Sequence, residues 1–429
     1  MQKYAVERWF DWEKFALCHW EKHPVLYEGV SAALFDVHDV FRAAAEAART
    51  LPEDPSPPGA PSIMVFTIER RQQMSQHAWA PHATDGSFEG YHARLAHALR
   101  ASSAAKYALI VNSLHSFSFP LWSQERTFFE GLWRRVGLPL TGAGTTLFHG
   151  NYEHTPVGVH KDRSSTFLFG IAGRKRMRFW QKKPWTEPVT TVPDYEPYIS
   201  ASFAVEVKAG DLLYWPSSYY HVGESLGGEP ATSVNVGIPR TEHRSIYELS
   251  ALLLDFDDAA ASLDIEAGMM SLLPRGRLSA LAKGARESGG TLSSDLPEAL
   301  NRVMRTFRTL TEKRTLDRRL RTVTLEHLSA GGFMPVPRPA PRIRLDDENR
   351  VVRRAEEPIL WAPEDSRSCI CASHGHSARV MAPAVEVRRV VEALNSGQPT
   401  RVGDLGMRFL LEKFLRFRAI TQLQRARLS

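Results

Sequence analysis

Cysteine is scarce in this chain. Three residues in 429, Cys18, Cys369 and Cys371, cannot build a disulfide framework, and the scarcity favours a reducing compartment. Long apolar runs are also missing. No stretch approaches the roughly 20 uncharged apolar residues that a membrane span requires, so no membrane partner is expected. The opening MQKYAVERWFDWEKF is charged and aromatic and lacks the apolar core of a secretory signal; a cytoplasmic location is the expectation. There is no internal repeat. Gly142-Ala143-Gly144 does not open a helix after a strand as a dinucleotide loop would.

What is present suffices for a core. Hydrophobic residues make up 43% and charged residues 24%, and the length suggests two or three domains. The net charge is +6, with clusters such as Arg318-Arg319-Leu320-Arg321 and Arg353-Arg354 in the C-terminal third. Such a balance suits an acidic partner and, equally, arginine-rich solvated helix faces. Nucleic acid is not the expected partner.

The pattern of the chain changes along its length. Residues 1–50 read as helical, with Trp9, Phe10, Trp12, Phe15 and Trp20 on an apolar face and an alanine-rich helix opening at Phe41. Pro52 to Pro61 is a proline-rich loop. From about 105 to 240 the segments are short, apolar and turn-bounded: 107–111, 145–148, 165–169, 175–180, 203–207, 211–215 and 233–236. Many short strands at regular spacing predict a double-sheet jelly roll. Residues 243–332 turn helical, with Leu249, Leu252, Leu253 and Phe256 on one face and Leu300, Val303, Phe307 and Leu310 on another. Gly331-Gly332 stops this run, and Pro335, Pro337, Pro339 and Pro341 read as a linker. The portion 342–429 reads as strands, a hairpin and two helices, Val385–Leu394 and Leu405–Leu415, an order like that of a small winged-helix module.

The densest chemistry lies in the strand-rich part. His160-Lys161-Asp162 is followed by His221 at the end of an aromatic stretch, Trp215-Pro-Ser-Ser-Tyr-Tyr220. Two histidines and one carboxylate form the facial triad of non-haem iron sites and leave positions open for a co-substrate and dioxygen. Residues i and i+2 of a strand share a face, so His160 and Asp162 can share a metal while Lys161 points away. Lys175 alternates with Met177 and Phe179 on an otherwise apolar face, where a lysine is costly unless paired; Arg174 and Arg176 are the alternatives if the register slips. Thr166 and Asn112 occupy positions that can line the barrel.

These residues resemble the JmjC-type and cupin-like Fe(II)/2-oxoglutarate-dependent oxygenases. The likeness is carried by His160-Lys-Asp162, by Lys175, by Gly210-Asp-Leu-Leu-Tyr-Trp-Pro216 and by Tyr219-Tyr220-His221, with Asn235 in Ser-Val-Asn-Val. Upstream, His19-Trp-Glu-Lys-His-Pro-Val-Leu26 is similar to the entry segment of the ribosomal-oxygenase branch. The resemblance implies an α+β fold. Its core is a double-stranded β-helix of the cupin/jelly-roll, JmjC type, with N-terminal helices, a helical middle region and a C-terminal winged-helix-like module. It implies an oxygenase domain over 1–240 with its core at 105–240, a helical region over 241–334 that is the candidate for dimerisation, and the terminal module over 342–429.

It further implies a catalytic iron held by His160, Asp162 and His221, with 2-oxoglutarate and O2 as co-substrates. Lys175 would bind the 2-oxoglutarate carboxylate, and Asn235, Thr166 and Asn112 would contribute to the co-substrate site. The activity implied is hydroxylation of a side chain in a protein or peptide, a ribosomal protein or a natural-product precursor, by a homodimeric enzyme. N-methyl-lysine demethylation at the same centre is the alternative within the class, and a non-catalytic cupin-like binding module the alternative outside it. The family's usual threonine three residues before the first histidine is Val157 here, which leaves Thr155 a doubtful contact.

Other residues carry weaker readings. Cys369, Cys371, His374 and His376 offer two thiols and two imidazoles, but their spacing is wrong for common zinc modules. His149 and His154 read as loop residues. Tyr214, Trp215, Tyr219 and Tyr220 divide between the substrate mouth and the core, and Arg163 faces either an acidic substrate or solvent.

Overall fold

The computed structural model describes residues 3–30, 34–51, 63–73, 76–99, 106–139, 141–152, 154–155, 157–226, 228–240, 315–354 and 357–423. The chain forms two compact units, one of residues 1–243 with 330–339 and one of residues 244–329 with 340–429. Among the described residues no helix is long and apolar enough to cross a membrane.

The first unit begins with β1 (Ala5–Glu7), α1 (Trp12–Cys18), β2 (Val25–Tyr27) and α2 (Val37–Arg49). Next come β3 (Met64–Ile68), β4 (Arg71–Gln72), α3 (Gln76–Trp79), α4 (Phe88–Ala98), β5 (Tyr107–Val111) and α5 (Phe119–Val136). The remaining strands are β6 (Gly144–Gly150), β7 (Ser164–Ala172), β8 (Arg174–Trp180), β9 (Phe203–Lys208), β10 (Leu212–Trp215), β11 (Tyr220–Ser225) and β12 (Ala231–Pro239). They form a nine-stranded sheet, β1-β2-β10-β7-β12-β6-β5-β3-β4, and a three-stranded sheet, β11-β8-β9.

Period-two alternation decides what each face of the large sheet meets. Phe167 and Phe169 of β7, Val234 and Val236 of β12 and Leu147 of β6 pack against the helices, in one core with Phe15, Phe41, Trp122 and Phe129. Each such aromatic contributes about 1.5–3 kcal/mol by leaving water. The alternate residues face the small sheet: Leu168 and Leu213 join Met177, Phe179, Val205 and Val207 in a second core. The two sheets thus form the expected jelly-roll sandwich, with helices on the outer face of the larger one. The helices are locally specified. Asp11 and Asp36 cap α1 and α2, Ser118 caps α5, and Gly137 at φ 84° ends α5.

Three expectations need correcting. Residues 1–50 are not wholly helical, because Val25–Tyr27 pair with β10 and extend the sheet, with Ala5–Glu7 alongside. Trp9 is off the apolar face, 85% exposed, while Trp12 and Phe15 pack inward. Residues 330–339 are not a free linker. The Trp122 and Trp133 indole N–H groups donate to the carbonyls of Phe333 and Gly331, and Phe333 is wholly buried. The helical faces at Leu249–Phe256 and Leu300–Leu310, and most of the predicted dimerising region, lie outside the described residues.

The second unit contains α6 (Thr315–Ala330, its last residue in the first unit), β13 (Arg350–Arg353), β14 (Leu360–Pro363), β15 (Cys369–Ser373), β16 (His376–Val380) and α7 (Ala384–Asn395). It continues with β17 (Thr400–Arg401), α8 (Val402–Leu405), α9 (Arg408–Arg416) and β18 (Ile420–Gln422). The second predicted helix is broken at Gly406 and Met407, both at positive φ. Cys369 and Cys371 are buried in this unit's apolar core with Val387, Leu394 and Phe414. Burial raises both thiols, Cys371 to about 12, which keeps them protonated and poor ligands. His374 is instead hydrogen-bonded through Nδ1 to the Phe417 carbonyl, and His376 stacks on the Phe417 ring.

Candidate metal centre

His160 lies in the extended segment before β7, and His221 in β11. They form an isolated antiparallel bridge: the His160 N–H donates to the His221 carbonyl at 3.1 Å, and the His221 N–H to the His160 carbonyl at 2.8 Å. The neighbouring Val159 makes the same reciprocal pair with Val192, at 2.8 and 3.0 Å. The backbone therefore fixes both imidazoles side by side, with ring centroids 4.5 Å apart. Gly158 is required for this path. Its φ is +72°, and a Cβ there would lie 2.3 Å from the Val192 carbonyl oxygen.

The ring orientations suit metal binding. His160 Nδ1 lies 2.9 Å from the Gly158 carbonyl, and His221 Nδ1 lies 3.4 Å from the Tyr219 carbonyl. Each Nδ1 carries the proton donated to a carbonyl, which turns the Nε2 lone pair inward. Asp162 Oδ1 and Oδ2 lie 3.4 Å from the Nε2 atoms of His160 and His221 respectively. One ligand atom from each of the three residues lies within 4.8 Å of the others. Among the described residues this is the only such group of three or more His, Cys, Asp or Glu side chains.

Burial alone would raise the Asp162 pKa, but hydrogen bonds and charge from the two imidazoles outweigh it and hold the carboxyl well below the usual range. Burial disfavours protonation of both histidines. At His160 the Asp162 carboxylate overcomes that effect and raises the pKa; at His221, more deeply buried, burial prevails and lowers it. The donor set is thus one carboxylate and two imidazole nitrogens, all aimed at one point. It fits a divalent first-row metal with positions left open.

A cleft of about 870 Å³ opens over this cluster between the two sheets. Lys175, Thr166, Asn235 and Asn112 all line it, so every predicted site residue is brought to one cavity. Lys175 is buried on the inner face of β8 with Met177 and Phe179. Arg174 and Arg176, its alternatives, pair with Glu206 and Glu224 instead. The Lys175 ammonium donates to Ser233 Oγ at 3.1 Å and lies 4.5 Å from the Phe148 ring centroid. Among the described residues no carboxylate is paired with it. Burial pushes its pKa down to about 7. Among the described residues two further polar atoms of the cleft, Asn235 Oδ1 and Thr155 Oγ1, have no hydrogen-bond partner. Buried polar atoms are seldom left so.

Several residues sit differently from expectation. His149 is not in a loop: it lies in β6 on the helix side, bonded to Tyr107 Oη at 3.1 Å and Thr232 Oγ1 at 2.9 Å. The aromatics Tyr214, Trp215, Tyr219 and Tyr220 do not line the cleft. Tyr214 packs on Phe15 and Phe167, while Trp215 backs the His221 ring at 5.1 Å between centroids. Thr155, doubted from its position, does face the cleft. Sequence reading missed Val65, Thr67 and Arg70 from the β3–β4 hairpin and Met334 from the returning segment. No local motif marks them: the hairpin reaches the cleft through β5, which lies between β6 and β3, and Met334 through the bridge of its neighbour Phe333 to Ala143.

The family model for the JmjC domain matches residues 133–246, the stretch that holds the triad and Lys175. No curated protein matches the chain. Among solved structures, an X-ray structure of Escherichia coli YcfD is 17% identical, with 97% of this chain and 99% of that chain covered and a TM-score of 0.46. A structure of YcfD, a ribosomal oxygenase from Escherichia coli, in complex with cobalt and 2-oxoglutarate is 16% identical, with the same coverage and a TM-score of 0.46. The matched segment 133–246 contains β6 to β12 and the His–Asp–His cluster, and it is this part of the chain that matches the JmjC domain.

Proposed function

We propose that the protein is an Fe(II)- and 2-oxoglutarate-dependent oxygenase that hydroxylates a side chain of a protein or peptide. The observation that carries this reading is the pairing, in one cleft, of the three-residue donor set with a buried lysine that has no carboxylate partner among the described residues. When bound, iron with its co-substrate supplies an oxidative decarboxylation in which 2-oxoglutarate, O2 and R–H become succinate, CO2 and R–OH.

The chain's own residues arrange that reaction. His160, Asp162 and His221 hold the metal, and the backbone carbonyls of Gly158 and Tyr219 hold the two rings in the correct tautomer. Lys175 and Ser233 receive the distal carboxylate of 2-oxoglutarate, whose charge compensates the buried ammonium. Asn235 and Thr155 offer their partnerless oxygens, and Thr166 and Asn112 further polar contacts, to the remainder of the co-substrate and the target. The apolar wall around Lys175, with Phe148 and Met177, keeps water from the carboxylate and strengthens the ion pair. Residues 342–429 are read as a winged-helix-like module that orients the polypeptide, with β15–β16 as the hairpin and α7 and α9 as its main helices.

Anaerobic titration with Fe(II) and 2-oxoglutarate tests the reading. A weak visible charge-transfer band and succinate formation on admitting air are expected, and both are lost in His160→Ala and Asp162→Ala. No band together with no succinate from the wild type would sink it.

A further inference from the structure

We propose that the polypeptide segment taken by this cleft is acidic, with aspartate or glutamate side chains beside the modified residue held by Arg70 and Arg163. This rests on the oxygenase reading above and goes beyond it in naming the class of substrate.

The first ground is the charge of the lining. Its cations are Arg70, Arg163 and Lys175, and its one carboxylate among the described residues is Asp162, already engaged by both histidines. Lys175 lies deep against Ser233. That leaves two exposed guanidiniums at the cleft, neither with a carboxylate partner among the described residues. Elsewhere in the unit arginines meet acids: Arg94 with Asp85, Arg174 with Glu206, Arg176 and Arg178 with Glu224.

The second ground is how Arg70 is held. Glu69 and Arg70 form the two central positions of the β3–β4 hairpin, both left-handed at φ 47° and 63°. Asn-Gly is the pair that such turns favour, and a non-glycine residue adopts this backbone at a cost. Here the strained turn delivers an arginine to the cleft. Arg70 Nη1 lies 3.0 Å from His154 Nε2, and His154 Nδ1 lies 2.8 Å from the Thr155 carbonyl. With Nδ1 donating to that carbonyl, Nε2 accepts from Arg70. The guanidinium is thus positioned by an imidazole lone pair, which fixes its place and leaves its charge free for an anion. In the adjoining hollow Arg71 and Lys106 add positive charge, and the Glu69 carboxylate is occupied by the Lys106 backbone N–H at 2.6 Å.

The same lining disfavours a cationic target such as methyl-lysine. Phe148 is its one Phe, Tyr or Trp among the described residues, so it holds no aromatic cage, and its one acid is a metal ligand.

Binding of fluorescein-labelled decapeptides to the full chain, loaded with Mn(II) and N-oxalylglycine, tests the proposal by anisotropy. The peptides are identical except for glutamate, glutamine or lysine on both sides of the centre. The glutamate peptide is expected to bind about tenfold more tightly than the lysine peptide, with a preference that shrinks as salt rises. Arg70→Glu and Arg163→Glu should each reduce that ratio, and together reverse it. If a reversed variant binds no peptide, Arg70→Gln with Arg163→Gln should erase the preference. Equal or tighter binding of the lysine peptide, no binding of any peptide by the wild type, or an unchanged ratio in the glutamine variants would overturn the proposal. Tighter binding of a uridine decamer than of the glutamate peptide would overturn it too, in favour of nucleic acid. Failure of the oxygenase reading is scored separately, by the absence of the Fe(II)–2-oxoglutarate band.

Discussion

Replacing Lys175 with methionine should stabilise the ligand-free protein while abolishing 2-oxoglutarate binding. The side chain is 4% exposed, has one hydrogen bond to Ser233, and has its pKa pushed by burial from an ordinary 10.5 to about 7. The folded-state value lies below the unfolded one. Between about pH 7 and 10.5 the unfolded chain therefore holds a proton that the folded chain does not, and stability rises with pH by up to ~1.4 kcal/mol per pH unit. Well below pH 7 the cost reaches its full extent, ~5 kcal/mol, and at pH 7 itself, where half the folded molecules have lost the proton, it is ~4 kcal/mol. Losing the Ser233 hydrogen bond returns ~1 kcal/mol, so Lys175→Met should be about 3 kcal/mol more stable than wild type near pH 7. By pH 9 the gap should shrink to about 1 kcal/mol. Urea unfolding of both proteins at pH 7, 8 and 9, without ligand, reads the difference directly. A gap that does not change with pH, or a methionine variant less stable at pH 7, would refute the view that Lys175 is a buried charge awaiting a partner. Calorimetry with 2-oxoglutarate and Mn(II) supplies the other half, since the variant should retain the metal and lose the co-substrate.

Gly223→Ala would place a Cβ 2.8 Å from Lys175 Cε and 3.2 Å from Met177 Sδ, displacing the ammonium; 2-oxoglutarate affinity should fall about tenfold, or ~1.4 kcal/mol, with metal affinity kept, as calorimetry would read. Glu125 is buried, accepts from Thr145 Oγ1, and has its pKa raised by burial to about 8. Because that value exceeds the unfolded one, wild-type stability is lost as pH rises from about 4.5 to 8, and Glu125→Gln should stabilise by ~2–4 kcal/mol at pH 8 and by under ~1 kcal/mol at pH 5 in urea unfolding. Phe333→Ala removes a wholly buried ring packed on Phe129 and Trp133; a loss of ~3–5 kcal/mol in denaturant unfolding is expected, with weaker substrate binding because Met334 loses its support.

Much of the jelly roll was legible because period-two alternation is a local signal. The pattern of 165–169 and 233–236 announced strands with one apolar face, and the structure gives that face to the helices. The triad was legible for the same reason: His160 and Asp162 are two residues apart on extended chain, and His221 ends an aromatic run. Residues 1–50 were misread because their aromatics occur at spacings that suit a helix, while the three-residue strand Val25–Tyr27 is too short to show a period and exists by pairing with β10. His149 was misplaced because a histidine in a strand carries no sign of burial; its partners Tyr107 and Thr232 are 42 and 83 residues away.

By itself the sequence determined the chemistry of the candidate ligands, two imidazoles and a carboxylate, and the side of the strand on which Lys175 lies. Both follow from residue identity and the two-residue repeat of an extended chain. Only the tertiary structure decided that Lys175 faces Ser233 rather than an acid, that Arg70 crosses from a distant hairpin onto His154, and that Met334 returns to the rim of the cleft. Those contacts join segments far apart in the chain. They arise from strand order and sheet stacking, which minimise exposed apolar area over the whole unit and leave no mark in any local window of residues.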